Sequence, residues 1–357
     1  MAKKATISDV AKKAGVSTGT VSAVLNDRPT VREATRRRVV AAIRDLGYRP
    51  SPSARMLGAT QTNNNVLHKS IGLIVKEMDS PFYADLIMGV RSLLTERGYT
   101  TFVCSSEGDY EEEGNLIEVL RSRFVNGVII APIVHEQVDL THLFMLKQAN
   151  YPFVLFEGVP GLQVNVVGID NVKASQMAVR YLIENGHERI MHVAGPPYTS
   201  HSRDRVIGVQ KAFSHSRLVY TDGLVVPGGA RLEDGLQAGL KMFEGRSADE
   251  RPTAVTCFND LVAMGVMRAL TELGLRVPED VSVIGFDDIQ SAAYLSVPLT
   301  TVRQPTHDMG RKAAELLVSQ LEAEDAISPQ RITLEAELVV RDSTRALCNA
   351  GGGSSSL

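Results

Sequence analysis

Apolar positions recur at helical spacing three times within the first fifty residues. In TISDVAKKAG, Ile7, Val10, Ala11 and Ala14 fall at i, i+3, i+4 and i+7 and form one stripe. Thr6 supplies an N-cap, Asp9 completes a variant of the capping box, and Gly15 stops the helix. VSTGTVSAVLND restarts at once: Ser17 caps, and Val21, Val24 and Leu25 make the buried side. Two helices separated only by Gly15 and Val16 predict a helix-turn-helix. A third helix, roughly Arg32 to Leu46, carries RRR at 36–38, apolar Val39, Ile43 and Leu46, and a Gly47 terminator.

From Ile71 the period changes. SIGLIV is short, apolar and β-branched, and ADLIMGVRSLLTERGY after it has apolar residues at helical spacing. TTFVCSS, VNGVIIAP, YPFVLFEG, RIMHVAG, TAVTCFND and VSVIGFDD repeat the strand pattern, separated by helical segments such as NVKASQMAVRYLIENGH and DLVAMGVMRALTELGL. Short buried strands alternating with helices predict parallel sheets covered on both faces. About 270 residues of this pattern exceed a usual single doubly wound sheet and predict two similar lobes.

Charge adds a task to the first unit. Residues 1–62 hold 12 Lys/Arg against 4 Asp/Glu, a net of +8, whereas the remainder holds 26 against 37, a net of −11. A basic head on an acidic body reads as a polyanion-binding module joined to something with a different task. The polar side of the second helix agrees. Thr18, Gly19, Thr20, Ser22 and Ala23 are small enough for close approach to a groove, with hydroxyls for phosphates and base edges. Composition excludes other classes: no apolar run approaches the roughly 20 residues of a membrane span, and the N-terminus has no continuous apolar region of a secretory signal. Cys104, Cys257 and Cys348 lie far apart without a CxxC pair, which fits a reducing cytoplasm.

RPSPSARMLGATQT, residues 49–62, reads as a helix of about two turns: Ser51 caps, Pro52 takes the first position and Gly58 ends it. A helix that short is marginal alone in water, yet it carries Met56 and Leu57. TISDVAKKAGVSTGTVSAVLN, followed by GYRP and ARML, resembles the start of the lactose-repressor (LacI/GalR) family of bacterial transcription regulators. The resemblance implies a hinge helix that orders only on operator DNA, beside its copy from a partner subunit. Leu57 would wedge into the minor groove with Ala54 packed beside it; unstacking costs roughly a few kcal/mol, recovered as bent DNA touches more protein. The DNA contacts so implied are Thr6, Ser17, Thr18, Gly19, Thr20, Ser22, Ala23, Asn26, Ala54, Arg55 and Leu57. Ala23 stands where the family commonly has an arginine, Ser51 replaces a commoner asparagine, and TQTNNNVLHK is longer and more polar than the usual connection.

In open α/β sheets, ligands sit at the carboxyl ends of strands. TCFND ends in Asn259 and Asp260, VIGFDD in Asp287 and Asp288, and VLFEG leads into Glu157; SRDRVIGVQKAF places Arg203 and Arg205 before a helix, and MDSPFY puts Phe82 and Tyr83 after the first body strand. Carboxylates, amides and guanidinium groups hold adjacent hydroxyls at two points, and an aromatic ring covers the apolar face of a sugar. Asp260 and Asp288 are read instead as caps of the elements that follow. The family body resembles periplasmic sugar-binding proteins, two lobes joined by three crossovers with the ligand between them. Motif matching then implies effector contacts at Arg205, Asn259 and Asp287, with Phe82, Tyr83 and Glu157 beside them and Thr306 of LTTVRQPTHDMG at the pocket rim. The family's frequent second stacking aromatic is replaced here by GGAR, ending at Arg231.

These readings predict an all-α helix-turn-helix headpiece (1–50), a hinge and linker (51–69), an α/β two-lobed periplasmic-binding-protein-like (type I) effector and dimerisation domain (70–343) and a flexible tail (344–357). The expected protein is a sequence-specific repressor, a cytoplasmic, nucleoid-associated homodimer on pseudo-palindromic operator DNA, controlled by a small effector, most simply a sugar. Co-repression by a purine or by a partner protein would use the same parts. A stand-alone sugar-binding protein is the rival of another class, and the DNA-binding unit at the front argues against it. No P-loop, HExxH or GxSxG occurs and the eight histidines show no metal-ligand spacing with the cysteines, so no catalytic residue, metal or cofactor is expected. GIDN and GFDD could be imagined as a glycosidase carboxylate pair, but belong more simply to ligand-binding strand ends.

Overall fold

The structure, a computed structural model, describes residues 6–25, 31–46, 48, 69–122, 125–134, 139–197, 199–325 and 327–347. It divides into two compact units, 1–69 and 70–357.

The first unit contains α1 (Ile7–Ala14), α2 (Thr18–Leu25) and α3 (Glu33–Leu46). Thr6 and Asp9 cap α1 reciprocally: Asp9 N donates to Thr6 Oγ1 at 3.3 Å, and Thr6 N donates to Asp9 Oδ2 at 2.8 Å. Gly15 ends α1 at φ 64°, a left-handed geometry that glycine adopts without strain. The predicted stripes meet in a core of Val10, Ala11, Ala14, Val21, Val24, Val39, Ala42 and Tyr48, ringed by partly buried Ile7, Leu25, Ile43 and Leu46.

The second unit has two lobes. β1 (Ser70–Val75), α4 (Pro81–Glu96), β2 (Thr100–Ser105), α5 (Tyr110–Ser122), β3 (Gly127–Ile130), α6 (Thr141–Gln148), β4 (Phe153–Leu155) and β5 (Asn165–Ile169) begin the first. α7 (Asn171–Glu184), β6 (Ile190–Ala194), α8 (Ser200–Ser214), β7 (Val225–Pro227), α9 (Leu232–Phe243), β8 (Ala254–Cys257), α10 (Asp260–Glu272), β9 (Ser282–Asp287) and β10 (Thr300–Arg303) form most of the second. The chain returns to the first lobe with α11 (Thr306–Glu322) and β11 (Arg331–Leu334) and ends its sheets with β12 (Glu337–Val339) in the second. The sheet orders are β11-β5-β4-β3-β1-β2 and β12-β10-β9-β8-β6-β7. Every neighbouring pair is parallel except β10 with β12. Three crossings, after β5, β10 and β11, therefore join two doubly wound sheets.

Strands such as β1, β3 and β8 are buried along their whole length, as helices on both faces require. Helix pairs close over the sheets at near contact. A Cβ on Gly89 of α4 would lie 2.1 Å from the His307 carbonyl oxygen of α11, and one on Gly265 of α10 would lie 2.0 Å from the Leu232 carbonyl oxygen of α9.

Residues 344–347, expected to belong to the tail, are instead fastened to the second lobe. The Thr344 and Thr300 hydroxyls pair at 3.0 Å, Arg345 N donates to Ser282 Oγ at 3.1 Å, and Leu347 N donates to the Asn185 carbonyl at 2.8 Å. Chain lying on a sheet must satisfy its backbone groups, and these bonds do so. Among the described residues no helix is long and apolar enough to cross a membrane.

Candidate functional site

Between the lobes lies a cavity of about 360 Å³, within the size range of small-ligand sites. Six of the seven expected effector residues line it: Phe82, Tyr83, Glu157, Arg205, Asn259 and Asp287. The seventh, Thr306, does not. Its hydroxyl donates to Asp85 Oδ2 at 2.6 Å and ties the start of α11 to α4. Gln304, two residues earlier on the same crossover, reaches the cavity instead, and its Nε2 donates to Asp287 Oδ1 at 2.8 Å.

The second lobe holds a guanidinium and a carboxylate at the cavity. Thr199 caps α8 by accepting from Ser202 N at 3.3 Å, and Arg205 sits in the second turn, buried. The Arg205 guanidinium lies over the Phe286 ring at 3.5 Å and the Phe258 ring at 4.7 Å. Its Nε donates to Asn171 Oδ1 at 3.0 Å, and its Nη1 donates to the Phe258 carbonyl. Nη2 stands 3.9 Å from Asp287 Oδ1. Burial lowers the Arg205 pKa to about 10, with Asp287 pulling the other way, so Arg205 remains a cation at neutral pH. Burial pushes the Asp287 carboxyl up to about 6, against the pull of Arg205 and Gln304. Asp287 and Asp288 also lie at φ 116° and φ 59°, conformations that carry strain in non-glycine residues and mark sites held by their surroundings.

Neither Asp260 nor Asp288 is the cap expected of it. Asn259 caps α10: its Oδ1 accepts from Val262 N at 2.8 Å while its Nδ2 donates to the Ala230 carbonyl at 2.8 Å. Asp260 is fully buried and accepts from Thr301 Oγ1 at 2.5 Å and Ile289 N at 2.8 Å; burial, then the nearby Asp287, raises its pKa strongly. Asp288 accepts from Arg303 Nε and Arg341 Nη2, both at 2.6 Å, binding the Asp287 turn to the end of β10 and to the chain just after β12.

The first lobe meets the same cavity with Glu157, whose Oε2 lies 3.1 Å from Lys76 Nζ and 2.9 Å from His201 Nε2. Burial alone would raise this carboxyl, but His201 and Lys76 outweigh it and hold it at about 2. His201 belongs to α8 of the second lobe, so its bond to Glu157 crosses the cleft. Asn171 Oδ1 accepts from Arg205 Nε, and its amide nitrogen lies 3.3 Å from His201 Nδ1. Arg205, Asn171, His201, Glu157 and Lys76 thus form one polar chain from lobe to lobe. Phe82 and Tyr83 pack edge to face with ring centroids 5.1 Å apart, and burial followed by Glu77 raises the Tyr83 pKa, keeping the phenol protonated.

Lys76, Asn171, His201, Gln304 and Phe258 were not among the expected contacts. Asn171 stood in GIDN and Gln304 in VRQPTHD, both recognisable as strand-end segments; Lys76 and His201 had no motif to mark them. Among the described residues no group of three or more histidines, cysteines and carboxylates could hold a metal ion.

In the headpiece, Thr18 and Gly19 are exposed at the start of α2, with Thr20, Ser22 and Ala23 half-buried. Ser17 Oγ accepts from Thr20 N at 3.1 Å and pairs with Thr20 Oγ1 at 3.0 Å, so the Ser17 hydroxyl, like that of Thr6, caps a helix start. Asn26, Ala54, Arg55 and Leu57 lie outside the described residues.

Residues 6–51 match the model of bacterial regulatory proteins of the lacI family, and residues 179–344 match that of a periplasmic binding protein-like domain. Over 347 residues, 96% of this chain and 99% of the relative, the sequence is 35% identical to the HTH-type transcriptional repressor PurR of Haemophilus influenzae. The chain belongs to the lacI family. PurR of Vibrio vulnificus is 34% identical over 343 residues, 96% of this chain and 99% of that protein. Among solved lacI-family structures, the transcriptional regulator CelR in complex with cellobiose superposes with a TM-score of 0.70 at 34% identity, covering 95% of this chain and 100% of that one. The lac repressor dimer bound to operator and the anti-inducer ONPF gives 0.75 at 27% identity, covering 96% and 100%. This lacI-family chain is a ligand-controlled DNA-binding transcriptional repressor, not an enzyme.

Proposed function

We propose that this repressor responds to a sugar held between its lobes, and that it acts as a cytoplasmic homodimer on a two-fold operator. The observation that carries the reading is the pairing of Arg205 and Asp287 in a buried wall, 3.9 Å apart, facing an equally polar end formed by Glu157 and Lys76. Vicinal hydroxyls donate to a carboxylate and accept from a guanidinium at once, and a polyol ring carries such pairs on every side. Phe82, Tyr83 and Phe258 supply apolar faces between those ends. Asn259 keeps one amide hydrogen for a ligand after capping α10. The relative crystallised with cellobiose supports a sugar. The relatives named PurR give a purine as the second reading.

In the same reading, Thr18 and Gly19 approach base edges. Thermal-shift titration of the full chain with ribose, glucose, galactose, cellobiose, adenine and hypoxanthine tests the pocket. A sugar should raise Tm in wild type and lose most of that effect in Arg205→Ala. A shift with a purine alone would replace the sugar reading by the purine one.

A further inference from the structure

The buried face of α5 consists of Glu113, Ile117 and Leu120, at i, i+4 and i+7. Ile117 and Leu120 pack into the core of the first lobe, but the first place in the stripe holds a carboxylate with no exposed surface. A carboxylate on an apolar face is unfavourable unless its oxygens are bonded, and both are. Oε2 accepts from Ile133 N at 3.0 Å, and Oε1 lies 2.7 Å from Nε2 of His142, the second residue of α6. Glu111 and Glu112 beside it are exposed, as acids in a first helical turn usually are.

The bond to Ile133 lies just past the end of β3. Ala131 N still donates to the Ile74 carbonyl of β1 at 2.9 Å. Two residues further on, the Ile133 N–H is buried beyond the ladder and takes the Glu113 carboxylate as its acceptor. Ala131, Ile133 and Val134 line the cavity between the lobes, whereas Glu113 and His142 do not. The carboxylate therefore stands behind the wall and fixes the backbone from which Ile133 and Val134 present their side chains. His142, mostly buried and on a different helix, fixes the direction of the carboxylate in turn. Leucine at 113 would continue the apolar stripe without desolvating a charge, so packing by itself gives no reason for an acid there.

We propose that Glu113, held by His142, is a positioning residue for the effector: it fixes the Ile133–Val134 wall of the cavity without touching the ligand. This rests on the cavity between the lobes being the effector site, and it holds for a sugar or a purine alike. The role makes a specific chemical demand. Whatever stands at 113 must accept from Ile133 N and meet His142 Nε2 at the same time. A carboxamide does both, since its oxygen accepts and its nitrogen donates to a neutral imidazole; a hydrocarbon of similar size does neither.

The test is isothermal titration of the full chain with ribose, glucose, galactose, cellobiose, adenine and hypoxanthine, on wild type, Glu113→Leu, Glu113→Gln and His142→Ala. Amide hydrogen exchange over residues 127–134 is followed beside it. Well below every Tm, Glu113→Leu should weaken the ligand that binds wild type by at least about fivefold and speed exchange at Ile133. His142→Ala should weaken it by about threefold or more, and Glu113→Gln should stay within about twofold of wild type. Operator affinity without ligand should stay within about twofold in all three variants. A lower Tm for Glu113→Leu with an unchanged ligand Kd would reduce the pair to packing and overturn the proposal. A Glu113→Gln variant as weak as Glu113→Leu would overturn it too. Should Glu113→Leu fail to fold, His142→Ala, at a partly exposed position, carries the same test, and an unchanged Kd there overturns the role. If none of the six ligands binds wild type, the sugar and purine readings fall by themselves and exchange decides the wall. Faster exchange in Glu113→Leu, restored in Glu113→Gln, upholds it; unchanged exchange overturns it.

Discussion

Asp287 is a costly residue to keep. Its carboxyl is pushed up to about 6 by burial, which outweighs the pull of Arg205 and Gln304 towards the charged form, and its backbone sits at φ 116°. A carboxyl whose folded pKa exceeds its unfolded value binds its proton more tightly in the folded state. Stability then falls as pH rises from about 4 towards 6 and stays reduced at neutrality. Asp287→Asn should therefore raise stability at pH 7 by on the order of 1–3 kcal/mol, measured as a higher Tm, with the gain shrinking near pH 4. The same variant should lose the response to effector. In wild type, effector affinity should weaken on acidification through pH 6, by up to about tenfold per unit, because a protonated Asp287 accepts hydroxyl donors poorly. A destabilised Asp287→Asn at pH 7, or a pH-independent affinity, would contradict this role.

At the scale of elements, the interest lies in how the lobes communicate. His201 on α8 and Glu157 after β4 belong to different lobes and meet at 2.9 Å, with Asn171 at the first residue of α7 linking His201 back to Arg205. His201→Phe keeps the bulk and cuts the chain. It should weaken effector binding by about tenfold or more, the worth of a hydrogen bond to a charged group, while leaving operator affinity without effector within about twofold. Equal effector affinity in the variant would remove the polar chain from the account. The limits of reading such elements from sequence are physical. The three headpiece helices were legible because capping residues and apolar spacing agree, as Thr6, Asp9 and Gly15 show. β1, β3, β6, β8 and β9 were legible as apolar β-branched runs, whereas β5, β7 and β10–β12 are short or partly exposed and carry no such signal. Asn259 and Asp260 are neighbours that can each cap a helix; which one does so depends on where β8 releases the chain. Thr306 is the residue the sequence points to on this crossover, and only the crossover geometry shows that Gln304 turns towards the cavity in its place. Lys76 and His201 are single polar residues whose meaning arises entirely from a partner on another element.

For the whole molecule, the two units divide the labour that the charge asymmetry announced: a basic helix-turn-helix unit and an acidic two-lobed unit with a trough between its lobes. Ligand control of a repressor requires that occupancy of the trough change operator affinity, and typical couplings amount to about 1–3 kcal/mol, or roughly 5–150-fold. Lobes joined at three crossings, with Gln304 on one of them bonded to Asp287, give a bound molecule direct purchase on the angle between the sheets. Arg205 lines the cavity and lies far along the chain from the helix-turn-helix unit. Its replacement by alanine should leave ligand-free operator binding intact and abolish only the ligand's effect. The most direct test is operator titration of the full chain at fixed salt, with and without a saturating sugar that binds wild type, in wild type and Arg205→Ala. The account predicts a shift in operator Kd of at least about fivefold in wild type and none in the variant. An operator Kd indifferent to a sugar that calorimetry shows to be bound, or an equal shift in Arg205→Ala, would contradict it.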